Sequence, residues 1–242
     1  MIYLDDLGQF FDRFFAVHRY PNDPGGVYRA SNRPISRLGL ALEPWAGLRE
    51  WARASHLDAL FLHRPWKLEP GQLAADIGVI SYHLAFDERL TLGFNPRLAD
   101  VLSLTALEVL GEKEGRVIGM LGQIPALSFA RYCGYVDEVF GGYEEIQGGG
   151  ESEVKLVAVV GAMNDALVRE AAARGADVYI TGQFRQPARN AVLETGINVI
   201  VVGHRRSELW GLRALAGVVR ERWFSLEVII PCLLYTSDAA DE

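Results

Sequence analysis

Two cysteines in 242 residues, Cys133 and Cys232, exclude a disulfide framework and a thiolate-built zinc site. Basic residues are also few. The 24 Lys and Arg stand against 31 Asp and Glu, a net charge of −7, which argues against a broad nucleic-acid or anionic-membrane footprint. No apolar run approaches the ~20 residues that a membrane span requires. Met1–Leu7 carries two acids and no base, which does not fit a secretory signal. What is present is ordinary for a globular chain: 50% hydrophobic and 23% charged residues, enough to bury a sizeable core. The expectation is a soluble, cytoplasmic, acidic protein.

The end of the chain reads differently from the rest. From Cys232 it runs Cys-Leu-Leu-Tyr-Thr-Ser-Asp-Ala-Ala-Asp-Glu, which back-translates in frame to a transposon-end sequencing adapter. Residues 232–242 are therefore expected to be non-native and are left out of the fold reasoning. Leaving out their three acids, Asp238, Asp241 and Glu242, moves the net charge from −7 to −4.

Leu4, Leu7, Phe10, Phe11, Phe14 and Phe15 share one face of an amphipathic helix. Tyr20–Pro34, rich in Pro, Gly and Asn, reads as loop. Short apolar strands then alternate with helices: strand Arg37–Leu42, helix Ala46–Ser55, strands Ala59–Leu62 and Ile77–Tyr82, and a helix after Asn95-Pro96. After a mixed middle and a turn at Gly148–Gly150, the alternation resumes. It runs through strand Val154–Val160, helix Asp165–Arg174, strand Val178–Thr181, helix Pro187–Glu194, strand Ile197–Val202 and helix Glu208–Arg222. Such alternation argues for an α/β fold.

The two halves match each other. At an offset of 119, Leu40–Leu62 overlies Val159–Thr181 and Asp58 meets Asp177; at 121, His83 meets His204 and Asp87 meets Glu208. The expectation is one domain over 1–231 made of two similar α/β lobes, about 1–130 and 131–231, related by a pseudo-twofold axis with a site in the cleft between them.

Of five histidines, three directly follow apolar strands, where α/β sheets place their sites: His63, His83 and His204. His83 has Asp87 four residues on, and His204 has Glu208 four residues on, a spacing that stacks side chains on one helical face. Imidazoles mixed with carboxylates suit Zn, Mn, Fe or Ni better than Ca or Mg. A single histidine after a strand is more often a hydrogen-bonded structural residue, so it is the recurrence that carries weight. His18 and His56 suggest no role, Cys133 reads as a small core residue, and Trp66 reads as core rather than as a wall of the site. No dinucleotide-binding, phosphate-loop or nucleophile-elbow spacing is present.

Four segments carry a family resemblance: Phe61-Leu62-His63-Arg64-Pro65, Ser81-Tyr82-His83-Leu84-Ala85-Phe86-Asp87, Thr181-Gly182-Gln183 and Gly203-His204-Arg205-Arg206-Ser207-Glu208. Together they resemble the successive signatures of the NGG-interacting-factor-three family, some of whose members go by the name GTP cyclohydrolase I type 2 homolog. The resemblance runs from about Leu38 to Ile230. It implies a toroidal homohexamer of two-lobed protomers with a dinuclear centre of divalent transition-metal ions. By motif match the ligands would be His63, Asp87, His204 and Glu208, with Asp87 or Glu208 bridging and His83 beside them.

The departures bear on chemistry. The family pattern has two adjacent histidines before the proline, and this chain has His63-Arg64. A guanidinium stays protonated and cannot ligate, so one or two ions per protomer both remain open. Gln183 stands where the family often has glutamate, and the family's Asp-Asn-x-Gly-Leu signature is not evident around Tyr20–Tyr28. Arg64, Arg205 and Arg206 are candidates for pairing a substrate anion, against the alternative of solvated charge or salt bridges. Three functions compete. The leading one is a metal-dependent hydrolase of a phosphate-bearing or nucleotide-like small molecule, with His83 as base or orienting group and Arg64 on the anion. The others are a non-enzymatic metal-binding scaffold or regulator and a metal-free α/β protein.

Overall fold

A computed structural model describes residues 1–149, 152–161 and 163–232. Gly150 of the expected glycine turn, Glu151, Ala162 and residues 233–242 of the suspect tail lie outside the described residues. The chain begins with helix α1 (Leu4–Phe14), strands β1 (Gly26–Arg29) and β2 (Arg37–Ala41), helix α2 (Leu48–Ala54) and strands β3 (Ala59–Leu62) and β4 (Gly78–Ser81). Helices α3 (Leu84–Leu90) and α4 (Pro96–Val101) follow, then strands β5 (Thr105–Val109), β6 (Glu112–Lys113), β7 (Arg116–Val117) and β8 (Gly119–Ser128). Next come helix α5 (Phe129–Phe140), strands β9 (Glu145–Gln147) and β10 (Glu153–Val160), helix α6 (Asp165–Ala173) and strand β11 (Val178–Thr181). Helix α7 (Arg189–Thr195), strand β12 (Asn198–Val201), helix α8 (His204–Arg222) and strand β13 (Glu227–Ile229) complete the order. Among the described residues no helix is long and apolar enough to cross a membrane.

Two compact units divide these elements. One comprises residues 1–12, 25–82 and the stretch from Ala216; the other comprises 13–24 and 83–215. The division falls elsewhere than the lobe limits near residue 130 expected from the sequence, and hydrogen bonding explains why. Strands β5 and β8 pair into the sheet of β10, whereas β13 pairs with β2.

The sheet of the first unit has the order β1-β4-β3-β2-β13, parallel from β4 to β13, with β1 antiparallel at the edge. Strand β3 (Ala-Leu-Phe-Leu) is buried throughout, as a parallel strand covered on both faces must be. Leu40, Phe61 and Ile80 are in register on one face, where Phe11 of α1 meets Phe61 at 6.1 Å. On the other, Leu60, Leu62 and Val79 pack with Leu48 and Ala52 of α2. Each such fully buried Leu or Phe contributes about 1.5–3 kcal/mol relative to exposure.

The second unit's sheet has the order β5-β8-β10-β11-β12-β9, with β10, β11 and β12 parallel and the rest antiparallel. Alternate residues face alternate layers. Ala158, Tyr179 and Val199 pack with α6 and α7, and Val157, Val178 and Ile200 pack with α4 and α5. Asn95 and Asn164 cap α4 and α6 by accepting backbone N–H bonds. Cys133 of α5 is buried, and burial pushes its thiol up to about 11.

The same run of strand, helix, strand, short 3-10 turn, strand and helix occurs twice along the chain: β2 through α3, and again β10 through α8, where α7 is added. The likeness extends to single atoms. Oδ2 of Asp58 accepts from the amides of Ser36 and Arg37 at 2.9 Å each. Oδ2 of Asp177 accepts from the amides of Lys155 and Leu156 at 2.8 and 2.9 Å. All three positions in the second clamp stand 119 residues after those in the first. In both, a carboxylate entering one parallel strand accepts two successive amides of its neighbour.

Strand β1 lies inside the stretch expected as loop, and β8 is an element that the residue pattern does not announce. Gly119, Gly122 and Pro125 interrupt it, yet a Cβ at Gly119 would sit 2.6 Å from Val160 Cγ2, and one at Gly122 would sit 2.7 Å from Leu104 Cβ. Helix α8 starts at His204, four residues earlier than expected, after Gly203 with φ of +94°. That positive φ favours glycine there, while the space beside it is bounded by the movable side chains of Glu144 and Arg206.

Candidate metal centre

His63 is the first residue past β3 and is fully buried. The ladder with β2 continues through it, since its amide donates to Ala41 O at 3.2 Å and that of Arg64 donates to Leu42 O at 2.7 Å. Its Nδ1 lies 3.1 Å from the carbonyl oxygen of Tyr82. A carbonyl only accepts, so Nδ1 carries the proton, and in the neutral ring Nε2 carries the lone pair. Tyr82 is itself held. Its hydroxyl donates to Asp12 Oδ1 at 2.6 Å, and its ring stands edge-on to Phe11 with centroids 5.8 Å apart. Burial, together with Asp12, pushes the phenol well above its usual range.

His83 follows Tyr82 and precedes α3. Its Nδ1 is 3.1 Å from Asp23 Oδ2, and the same oxygen accepts the amide of Leu84 at 2.7 Å. Its Nε2 faces Asp87 Oδ2 at 3.8 Å, one helical turn on. One donor atom each from His63, His83 and Asp87 lies within 4.8 Å of the others. Adjacent parallel strands β3 and β4 explain why the two histidines emerge near each other, and α3 returns Asp87 to the same point. Two imidazoles and one carboxylate form a donor set that fits Zn, Fe, Mn or Ni. In both rings Nδ1 is engaged by an oxygen acceptor, the outer arrangement that metal-ligating histidines use to fix tautomer and orientation.

Asp23 is the member that sequence reasoning missed, because Tyr20–Pro34 carries no periodic pattern. The available signal was the Asp23-Pro24-Gly25-Gly26 turn. Gly25 has φ of +67°, and a Cβ there would lie 2.5 Å from the Tyr82 ring and 2.8 Å from Ser81 O. Only glycine lets this turn run so close to the end of β4.

His204 and Glu208 form a pair of their own at the start of α8. His204 Nε2 is 3.0 Å from Glu208 Oε1, with the imidazole half-exposed and the carboxylate buried. A buried carboxylate needs such a partner. Arg64 Nε stands 3.4 Å from Glu43 Oε2, and Arg206 Nη1 stands 3.6 Å from Glu144 Oε1. Trp66, on the 3-10 turn past His63, is 60% exposed and not the core residue expected. The turn carries it outward just beyond the buried Pro65.

A sequence profile of the Duf34/NIF3 (NGG1p interacting factor 3) family matches residues 3–233. The chain belongs to that family. Among curated NIF3 relatives, a GTP cyclohydrolase 1 type 2 homolog of Deinococcus radiodurans is 26% identical over 235 residues, covering 90% of this chain and 89% of the relative. One of Neisseria meningitidis serogroup B is 32% identical over 165 residues, covering 67% and 65%. In fold, this NIF3 chain is similar to TTHA1606 of Thermus thermophilus, with a TM-score of 0.73, 21% identity and coverage of 96% and 100%. It is also similar to a Bacillus cereus protein related to NIF3, with a TM-score of 0.74, 14% identity and coverage of 100% and 99%.

Proposed function

We propose that this chain is a metal-binding protein that hydrolyses a small phosphate-bearing or nucleotide-like molecule in the cytoplasm. The observation that carries the reading is the His63–His83–Asp87 group with both Nδ1 atoms engaged by oxygen. The reading adds His204 and Glu208 as further ligands in a cleft between two similar lobes related by a pseudo-twofold axis. The matched Asp58 and Asp177 clamps support that duplication. It also takes the assembly to be a toroidal homohexamer, as the family resemblance implies.

Bound there, a divalent transition-metal ion supplies Lewis acidity to a phosphoryl or carbonyl oxygen and lowers the pKa of water. Arg64 offers its planar fork to the substrate anion. With its proton on Nδ1 toward Asp23, His83 has one lone pair, on Nε2, which either joins the donor set or, with the ion held by the other ligands, orients the reacting group or accepts a proton. The test compares hydrolysis of a phosphate-ester and nucleotide panel by wild type and Glu208→Gln, with metal content measured on untagged protein. Wild type is expected to carry metal and turn over at least one substrate, and the variant to lose at least about tenfold in rate. Metal without turnover, or equal rates in both proteins, would leave the second reading, a non-enzymatic metal-binding scaffold.

Arg64 in place of the second family histidine favours that second reading, and it also bears on stoichiometry. A fixed guanidinium repels a neighbouring dication. Arg64→His is therefore expected to raise bound zinc from about one to about two ions per protomer, measured by elemental analysis. Unchanged stoichiometry would mean that Arg64 is not what limits occupancy.

A further inference from the structure

Asp23 touches two things that matter to the metal group, and it does so with one oxygen. Oδ2 accepts from His83 Nδ1 at 3.1 Å and from the amide of Leu84 at 2.7 Å. The first bond decides which imidazole nitrogen keeps the proton. The second holds the first amide of α3, the helix that carries Asp87 three residues later. Asp23 therefore stands behind two of the three donors in the group while contributing no atom to it.

Its own placement is fixed from both sides in sequence. The amide of Asp23 donates to Tyr20 O at 3.0 Å, closing a turn. Two residues on, Gly25 passes the end of β4 where no side chain fits. Tyr20 is buried, and its hydroxyl is held by Glu88 of α3. Burial and that carboxylate push the phenol above its usual range, so it stays a neutral donor at every working pH. The turn thus docks on α3 at Glu88 and again at Leu84, which leaves the Asp23 carboxylate little freedom to leave His83.

We infer that Asp23 is a positioning residue for the metal group, which holds His83 with its proton on Nδ1 and turns Nε2 toward Asp87. Its carboxylate stands behind the ring on the side away from Asp87, where an outer carboxylate fixes the orientation of a metal-ligating histidine. This rests on the metal-binding reading above, and goes beyond it by assigning a role to a loop residue outside the ligand motifs. The two rings of the group are held differently: His63 by a neutral main-chain carbonyl, His83 by an anion. The charge-dependent part of metal affinity should therefore concentrate at position 23.

The test has a metal-free arm and a metal arm on the full chain. In the first, the ring nitrogens of 15N-labelled protein are assigned by NMR at about pH 8, above the ordinary histidine pKa. Wild type is expected to show His83 as the Nδ1–H tautomer, and Asp23→Ala a mixture of the two. In the second, zinc affinity is measured by competition with a chromophoric chelator. Asp23→Ala is expected to weaken it by about 10–100-fold. Asp23→Asn, which keeps an oxygen acceptor for both bonds but removes the charge, is expected to fall between the two and to retain wild-type thermal stability. Wild-type affinity in Asp23→Ala, or an unchanged tautomer, would overturn the inference. Should wild type itself take up no zinc, the metal-binding reading fails, while the tautomer still decides whether Asp23 governs His83.

Discussion

Asp58→Ala is expected to lower the unfolding free energy by about 2–4 kcal/mol, read from guanidinium denaturation. The carboxylate accepts from the amides of Ser36 and Arg37 and from the Ser36 hydroxyl, at 2.9, 2.9 and 2.8 Å. Removing it leaves two backbone donors without their acceptor at the start of β2, each costing about 1–3 kcal/mol. The ion pair with Arg33 at 2.8 Å adds little, since the guanidinium is over a third exposed. Burial alone would raise the Asp58 carboxyl, but Ser36, Arg37 and Arg33 outweigh it and hold it below its ordinary value. A lowered native pKa gives stability that is present above the unfolded value of about 3.9 and lost as pH falls through the native one. The difference between wild type and variant should therefore shrink as pH falls below the unfolded value of about 3.9. A difference that stays constant through the acid range below that value would show that the charge contributes nothing.

His63→Asn should abolish most metal binding while leaving the fold in place. Asparagine sets an amide N–H near the position of Nδ1, so the bond to Tyr82 O survives, but it has nothing in place of Nε2. Zinc affinity is expected to fall by more than the ~10–100-fold that follows loss of an outer partner. The lost ring packing at a fully buried site should cost about 1–3 kcal/mol. Wild-type affinity in a folded variant would remove His63 from the group and the group from the function. A control at His56, a positive-φ residue just past α2 that the group does not include, should leave affinity unchanged.

How much of the molecule is legible in its residues depends on where each element gets its stability. Strands β3 and β11 are short unbroken apolar runs, and their limits, Ala59–Leu62 and Val178–Thr181, follow from the sequence because burial on both faces leaves no other reading. The histidines after β3 and β4 stand out for the same reason, being polar residues at the ends of such runs. The His204–Glu208 pair is legible as spacing and present as geometry, at 3.0 Å. Strand β8 is not legible. Its glycines and proline weaken any local signal, and what makes it a strand is pairing with β10 on one side and β5 on the other. A first-lobe limit near residue 130 follows from chain position, which cannot show that β5 and β8 hydrogen-bond with later strands. Asp23 escapes because its meaning lies in a tertiary contact, set by a glycine that its close approach to Ser81 and Tyr82 explains.

Because the buried imidazole leans on a peptide oxygen, no codon change at position 82 can delete its support; only a shift of the main chain would. The other ring leans on an aspartate that one nucleotide substitution converts to asparagine, glycine or alanine. Within a single donor cluster, then, one half is shielded from drift while its neighbour is open to it, and lineages could adjust how tightly an ion is gripped without disturbing the sheet beneath.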